Sequence, residues 1–162
     1  MPVPFPLILA LLGAHTLPSA CTLMTKTEAQ AHLAGPIVRV VPEEPAPDED
    51  TGSMHTSCTF MGRGVALVIA VDEFPSAAAA KKTMTAEYMK AHNGGDEDAP
   101  PLMVAPESGL GDQGFYGHSE HAAMMVMVKG TRTYAAVFGG SAPKPTDRAT
   151  LHKLVTMLAA KS

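Results

Sequence analysis

The residues best suited to chemistry in this chain lie at His118-Ser119-Glu120-His121, followed by Met124, Met125 and Met127. Imidazole and thioether together suit copper, and Cu(I) favours soft sulfur, so His118, His121, Met124 and Met125 form the speculative metal set. In a strand, however, positions three apart point to opposite faces, so the two histidines share an ion only where the chain turns between them. Methionines alternating along an apolar run also fill cores, which makes core packing with exposed loop histidines the plainer expectation. The remaining chemistry rests with two cysteines, Cys21 and Cys58.

Cys21 stands directly behind a stretch with the pattern of an export leader. Residues 1–20 carry no charged side chain, and Leu7 to Leu12 form a short apolar run before Pro18, Ser19 and Ala20. That run is about half of the ~20 residues that span a bilayer, so it reads as a secretory signal rather than a permanent helix. A basic residue near Met1, usual in such signals, is missing. The expected organisation is a signal peptide over 1–20 and one domain over 21–162.

Two fates then compete for the Cys21 sulfur. Leu17-Pro18-Ser19-Ala20-Cys21 resembles a lipobox with its leucine one place too far upstream, which would make Cys21 a lipidation site. The alternative is a Cys21–Cys58 disulfide, the natural inference from an even cysteine count in an oxidising compartment. One sulfur cannot serve both, and the faulty box favours the disulfide. Closing such a loop stabilises a fold by about 3–4 kcal/mol on the chain-entropy model.

Composition narrows the function classes. Net charge is −4 and the acidic groups cluster, so there is no basic footprint for nucleic acid or anionic membrane. Trp is absent and Phe and Tyr are few, which weakens base-stacking or sugar-stacking sites. Asp48-Glu49-Asp50 and Asp96-Glu97-Asp98 lack the alternating ligands and terminal Glu of a calcium loop and read as solvated turns. Gly109-Leu-Gly-Asp-Gln-Gly114 precedes a strand rather than opening a helix, so its dinucleotide reading fails on context. Ser108 sits in no nucleophile elbow, neither cysteine has a reactive setting, and His32 and His152 are placed on helix peripheries.

The elements that must position these residues follow from pattern. Thr25-Lys-Thr-Glu28 is a capping box opening a short helix that Gly35 ends. Ile37 to Val41 reads as a strand and 42–53 as a solvated acidic loop. Thr56–Met61 and Val65–Val71 form a hairpin about Gly62-Arg63-Gly64, and the doubly apolar second arm belongs at the centre of a sheet covered on both sides. Pro75 and Ser76 start a helix to about His92, burying Ala77, Ala80, Met84, Tyr88 and Ala91, with Asn93-Gly94-Gly95 as its stop. A second acidic loop over 96–101 leads to a short Leu102–Val104 segment and a strand at Phe115-Tyr116. Ala122–Val128 and Thr131–Phe138 make a second hairpin, Pro143 and Pro145 mark a connection, and a final helix presents Leu151, Leu154, Val155 and Leu158. The expected fold is α+β: an antiparallel sheet with two hairpins, flanked by about three helices.

Cys21-Thr-Leu-Met-Thr25 with Glu28, then Ser57-Cys58-Thr-Phe60, Gly109-Leu-Gly-Asp112 and Val128-Lys-Gly130 resemble small exported bacterial domains of unknown function, many of them lipoproteins. That resemblance implies a PsbP-like α/β/α sandwich with a structural cysteine pair and brings no catalytic residues.

The expected function is therefore a periplasmic or secreted, non-enzymatic binding or accessory domain of the cell envelope. No cofactor, no nucleic-acid partner and no transmembrane segment in the mature form are expected, and a lipid anchor follows only if Cys21 is acylated. The alternatives are metal handling by the His/Met cluster and, weakest, an enzyme, since no nucleophile–base pair or paired carboxylates are legible.

Overall fold

The described residues form seven strands, with period-two burial clearest over Ala66–Glu73, and helices that pack apolar stripes on them. The computed structural model describes residues 17–93, 102–140, 144 and 146–162. The elements run α1 (Ala20–Leu23), α2 (Lys26–Gln30), β1 (Arg39–Asp48), β2 (Ser53–Met61), β3 (Ala66–Glu73), α3 (Ala77–His92), β4 (Met103–Pro106), β5 (Gln113–His118), β6 (Ala122–Lys129), β7 (Arg132–Gly139) and α4 (Asp147–Lys161). The strands form one sheet in the order β1-β2-β3-β7-β6-β5-β4, every neighbouring pair antiparallel. This is the expected α+β class, with the one-turn helix α1 added to the three anticipated. Expectations for residues 1–16, for Gly94, Gly95 and the acidic loop to 101, and for Pro143 and Pro145 lie outside the described residues.

One face of the sheet carries the main core. Cys58, Phe60, Leu67, Ile69 and Met125 point there, packed by the Leu151, Leu154, Val155 and Leu158 stripe of α4 and by the N-terminal helices. Leu17 and Ala20 are also buried in this core, and the Ala20 amide donates to the Thr56 hydroxyl at 3.0 Å. The expected leader boundary after Ala20 thus falls inside a packed segment. Cys21 in α1 is bonded to Cys58 in β2, their Cα atoms 5.0 Å apart, within the ordinary disulfide range. The α2 capping box is complete: Glu28 accepts from the Thr25 amide at 2.7 Å, and its own amide donates to the Thr25 hydroxyl at 3.2 Å. Lys161, at the end of α4, reaches the same carboxylate at 2.6 Å, joining the two ends of the domain.

The other face is covered by α3. Ser76 caps that helix through the Ala79 amide, and Ala80 and Met84 pack on Phe74, Phe115, Val126 and Val128. Tyr88 meets Phe115 edge-on at 5.7 Å, and Ala77 and Ala91 are half-buried. Phe74 follows β3 and the other partners belong to β5 and β6, so α3 covers the later half of the sheet. Above β1, β2 and β3 no described helix lies on this face, and Ala66, Val68 and Ala70 are half-exposed. The central place of β3 was legible in its sequence; coverage of both its faces is corrected.

A second correction concerns residues 42–53. The expected acidic loop is strand as far as Asp48, with the turn confined to the residues before Ser53. Prolines survive there because β1 is an edge strand, where an N–H directed at solvent is dispensable. Pro42 lies opposite Cys58, Pro47 opposite Met54, and Pro45 falls inside the register shift between Glu43 and Ala46. Asp48 organises the turn, accepting from the Thr51 hydroxyl at 2.8 Å and the Asp50 amide at 3.0 Å. These bonds hold its carboxyl below the usual range.

Two outcomes test this frame. Cys58→Ala is expected to lower the free energy of unfolding by about 3–4 kcal/mol, read from urea denaturation, for a loop of this length; an unchanged midpoint would show the staple adds no stability. The Glu28 carboxyl is lowered from 4.5 to about 2, first by the Lys161 ammonium and then by the Thr25 amide and hydroxyl. A depressed folded value means stability fully present above about pH 4.5 and lost as pH falls through about 2. The urea midpoint should therefore drop more steeply across that window in the native chain than in Glu28→Gln.

Candidate functional site

The predicted metal set does not converge. His118 ends β5 opposite Ala123, its ring 5.6 Å from that of Tyr116 on the α4 side of the sheet. His121 is exposed in the turn that follows, its amide donating to the Ser119 hydroxyl. Met125 is fully buried in the α4-side core, whereas Met124 packs into the cluster beneath α3. Adjacent strand residues point to opposite faces, so these two thioethers are separated by the sheet itself. Among the described residues no group of three or more His, Cys, Asp or Glu side chains is arranged to hold a metal ion.

The other sequence candidates also have defined places. Both cysteine sulfurs are committed to the disulfide, which leaves Cys21 none for a lipid thioether. His32 is exposed, and His152 borders a shallow cleft of about 500 Å³ with Glu107, Arg148 and Lys153. The glycine-rich turn before β5 is architectural. Gly111 has φ +45°, and a Cβ there would collide with the Val128 carbonyl. Asp112 next to it ties the turn to the β6–β7 hairpin: its amide donates to the Val128 carbonyl at 2.7 Å, and its carboxylate accepts from the Gly130 amide at 2.8 Å.

What sequence reading missed lies on the uncovered face. Strand register sets Glu43 opposite Ser57, His55 opposite Asp72, and Asp72 opposite Thr133. The side chains form a continuous polar row. His55 Nδ1 is 2.6 Å from Asp72 Oδ1, and the Thr133 hydroxyl donates to Asp72 Oδ2 at 2.8 Å. On the far side of the ring, Nε2 lies 3.6 Å from Glu43 Oε2, which accepts from the Ser57 hydroxyl at 2.7 Å. The row grades from dry to wet: Thr133 is buried, Asp72 is 24% exposed, His55 33% and Glu43 63%.

This geometry has two chemical states. With the ring protonated, an imidazolium bridges two carboxylates. With the ring neutral and Nδ1–H donated to Asp72, Nε2 presents a lone pair toward Glu43 and solvent. The Ser57 hydroxyl is engaged by Glu43, so the serine–imidazole contact that acyl transfer requires is not made. Beside the row, Val41, Thr59, Val68 and Val137 form a half-exposed stripe across β1, β2, β3 and β7.

The fold and this surface define a small α/β domain with a disulfide-bonded cysteine pair. No family model matches the chain, and no curated protein and no solved structure matches it.

The graded burial makes the row's two ends unequal. Asp72→Ala strips acceptors from the buried Thr133 hydroxyl and from His55, and should cost about 1–3 kcal/mol. Glu43→Ala, at the exposed end, should cost less than about 1 kcal/mol. Equal losses in urea denaturation would contradict this asymmetry.

Proposed function

We propose that this chain is an exported, non-enzymatic binding or accessory domain whose recognition surface is the uncovered face of β1, β2 and β3. The observation that carries the reading is the half-exposed Val41–Thr59–Val68–Val137 stripe, which crosses β1, β2, β3 and β7 beside the polar row. A largely aliphatic strip on a sheet face is a surface on which another molecule can sit. Export is supported by the disulfide, which persists in oxidising compartments and is rare in the cytosol. With the Cys21 sulfur so engaged, a soluble periplasmic or secreted form is favoured over a lipid-anchored one.

Charge selects the partner. Glu43, Glu44, Asp48, Glu49 and Asp50 line β1 and its turn, against Arg39 alone on the same strand. The occupant is accordingly a protein segment with apolar side chains flanked by Lys or Arg.

A photo-crosslinking amino acid placed at Val68, with a control at Lys153 on α4, tests the reading in the native host. Expected is an adduct from Val68 alone, in the envelope or medium fraction, disulfide intact. It should weaken at high salt, and its crosslinked segment should be basic and apolar. Equal capture from both positions, a cytosolic adduct or an acidic partner segment would overturn the proposal.

A further inference from the structure

We propose that His55 Nε2 and the Glu43 carboxylate form a two-donor site for one divalent cation of the zinc class, with Asp72 and Thr133 as its supporting shell. The spacing fits: zinc bonds to imidazole nitrogen and carboxylate oxygen are each about 2.0–2.2 Å, so two donors at a tetrahedral angle stand roughly 3.4 Å apart. The observed Nε2–Oε2 separation is 3.6 Å, too long for a good hydrogen bond and close to that span. Asp72 is not a third ligand, because it lies on the Nδ1 side of the ring.

The supporting hydrogen bonds are those that a metal-binding histidine uses. Such a residue characteristically donates its other ring N–H to a carboxylate, which fixes the tautomer and raises the basicity of the ligating nitrogen. Asp72 takes that part at 2.6 Å, and its second oxygen is held by the Thr133 hydroxyl at 2.8 Å. The Ser57 hydroxyl likewise holds Glu43 through Oε2, which leaves Oε1 free. Both donors lie on paired strands rather than loops, and the ring is one-third exposed, so water completes the coordination. Mixed imidazole and carboxylate donors suit zinc better than calcium or magnesium, which prefer all-oxygen shells. The site is separate from His118, His121, Met124 and Met125. It also stands apart from the partner-binding reading, because the isolated domain should bind the ion.

The test is a Zn²⁺ titration of the tag-free, disulfide-intact chain in a non-chelating buffer, by calorimetry and by ¹⁵N detection of the histidine rings. One saturable ion per chain is expected, with the His55 Nε2 resonance moving. Affinity should fall at least about tenfold in Glu43→Gln and in His55→Gln, and about tenfold in Asp72→Asn, as for outer-shell partners. His118→Gln and His121→Gln should bind as the native chain does. Glu43 is largely exposed, so Glu43→Gln keeps the fold and decides the matter should His55→Gln fail to fold. Unchanged affinity in Glu43→Gln, loss of binding in His118→Gln, or no saturable binding at all would overturn the proposal.

Discussion

Seven strands set the governing constraint on this molecule. At about 4.8 Å between strands the sheet is roughly 29 Å across, while a helix with its side chains covers about 10 Å. One face receives α4 together with the N-terminal helices, held in place by the Cys21–Cys58 bond. Among the described residues the opposite face receives only α3, which lies toward the β7-β6-β5-β4 half. Among the described residues there are four helices, two of them scarcely more than a turn, and they do not cover both sides of such a sheet. Over β1, β2 and β3 this leaves a half-face on which no described helix lies.

The contents of the bare half differ from those of a sheet that simply faces water. A solvated antiparallel face is expected to be polar throughout. Here an aliphatic stripe at Val41, Val68 and Val137 runs beside a polar row in which the Thr133 and Ser57 hydroxyls and His55 Nδ1 engage carboxylates. Among the described residues no buried side-chain nitrogen or oxygen lacks a partner. The row thus has a dry end anchored on Thr133 and a wet end open at Glu43. That gradient holds the imidazole of His55 in one orientation while leaving one of its nitrogens accessible.

Much of the fold was legible in local pattern. The capping box at Thr25–Glu28, the glycine turns, both hairpins, the Ser76 cap and the α4 stripe depend on spacings of a few residues, where sequence and geometry are tightly coupled. The misread segment, 42–53, shows where local reasoning ends. Three prolines and a cluster of carboxylates exclude an interior strand, and they are compatible with an edge strand whose outward amides need no partner. Whether a strand is an edge is a property of the whole sheet.

By itself, then, the sequence determined the fold class, the order of the elements, the centrality of β3 and the choice facing the Cys21 sulfur. These follow from short-range periodicity, turn chemistry and cysteine count. The tertiary structure alone decided the sulfur's fate, because it brought α1 against β2. It alone separated Met124 from Met125 by placing a two-sided strand between two cores. It alone assembled Glu43, His55, Asp72 and Thr133, since strand register aligned residues as far as 61 positions apart in the chain. No spacing rule spans such separations, because register is set by the pairing of whole strands.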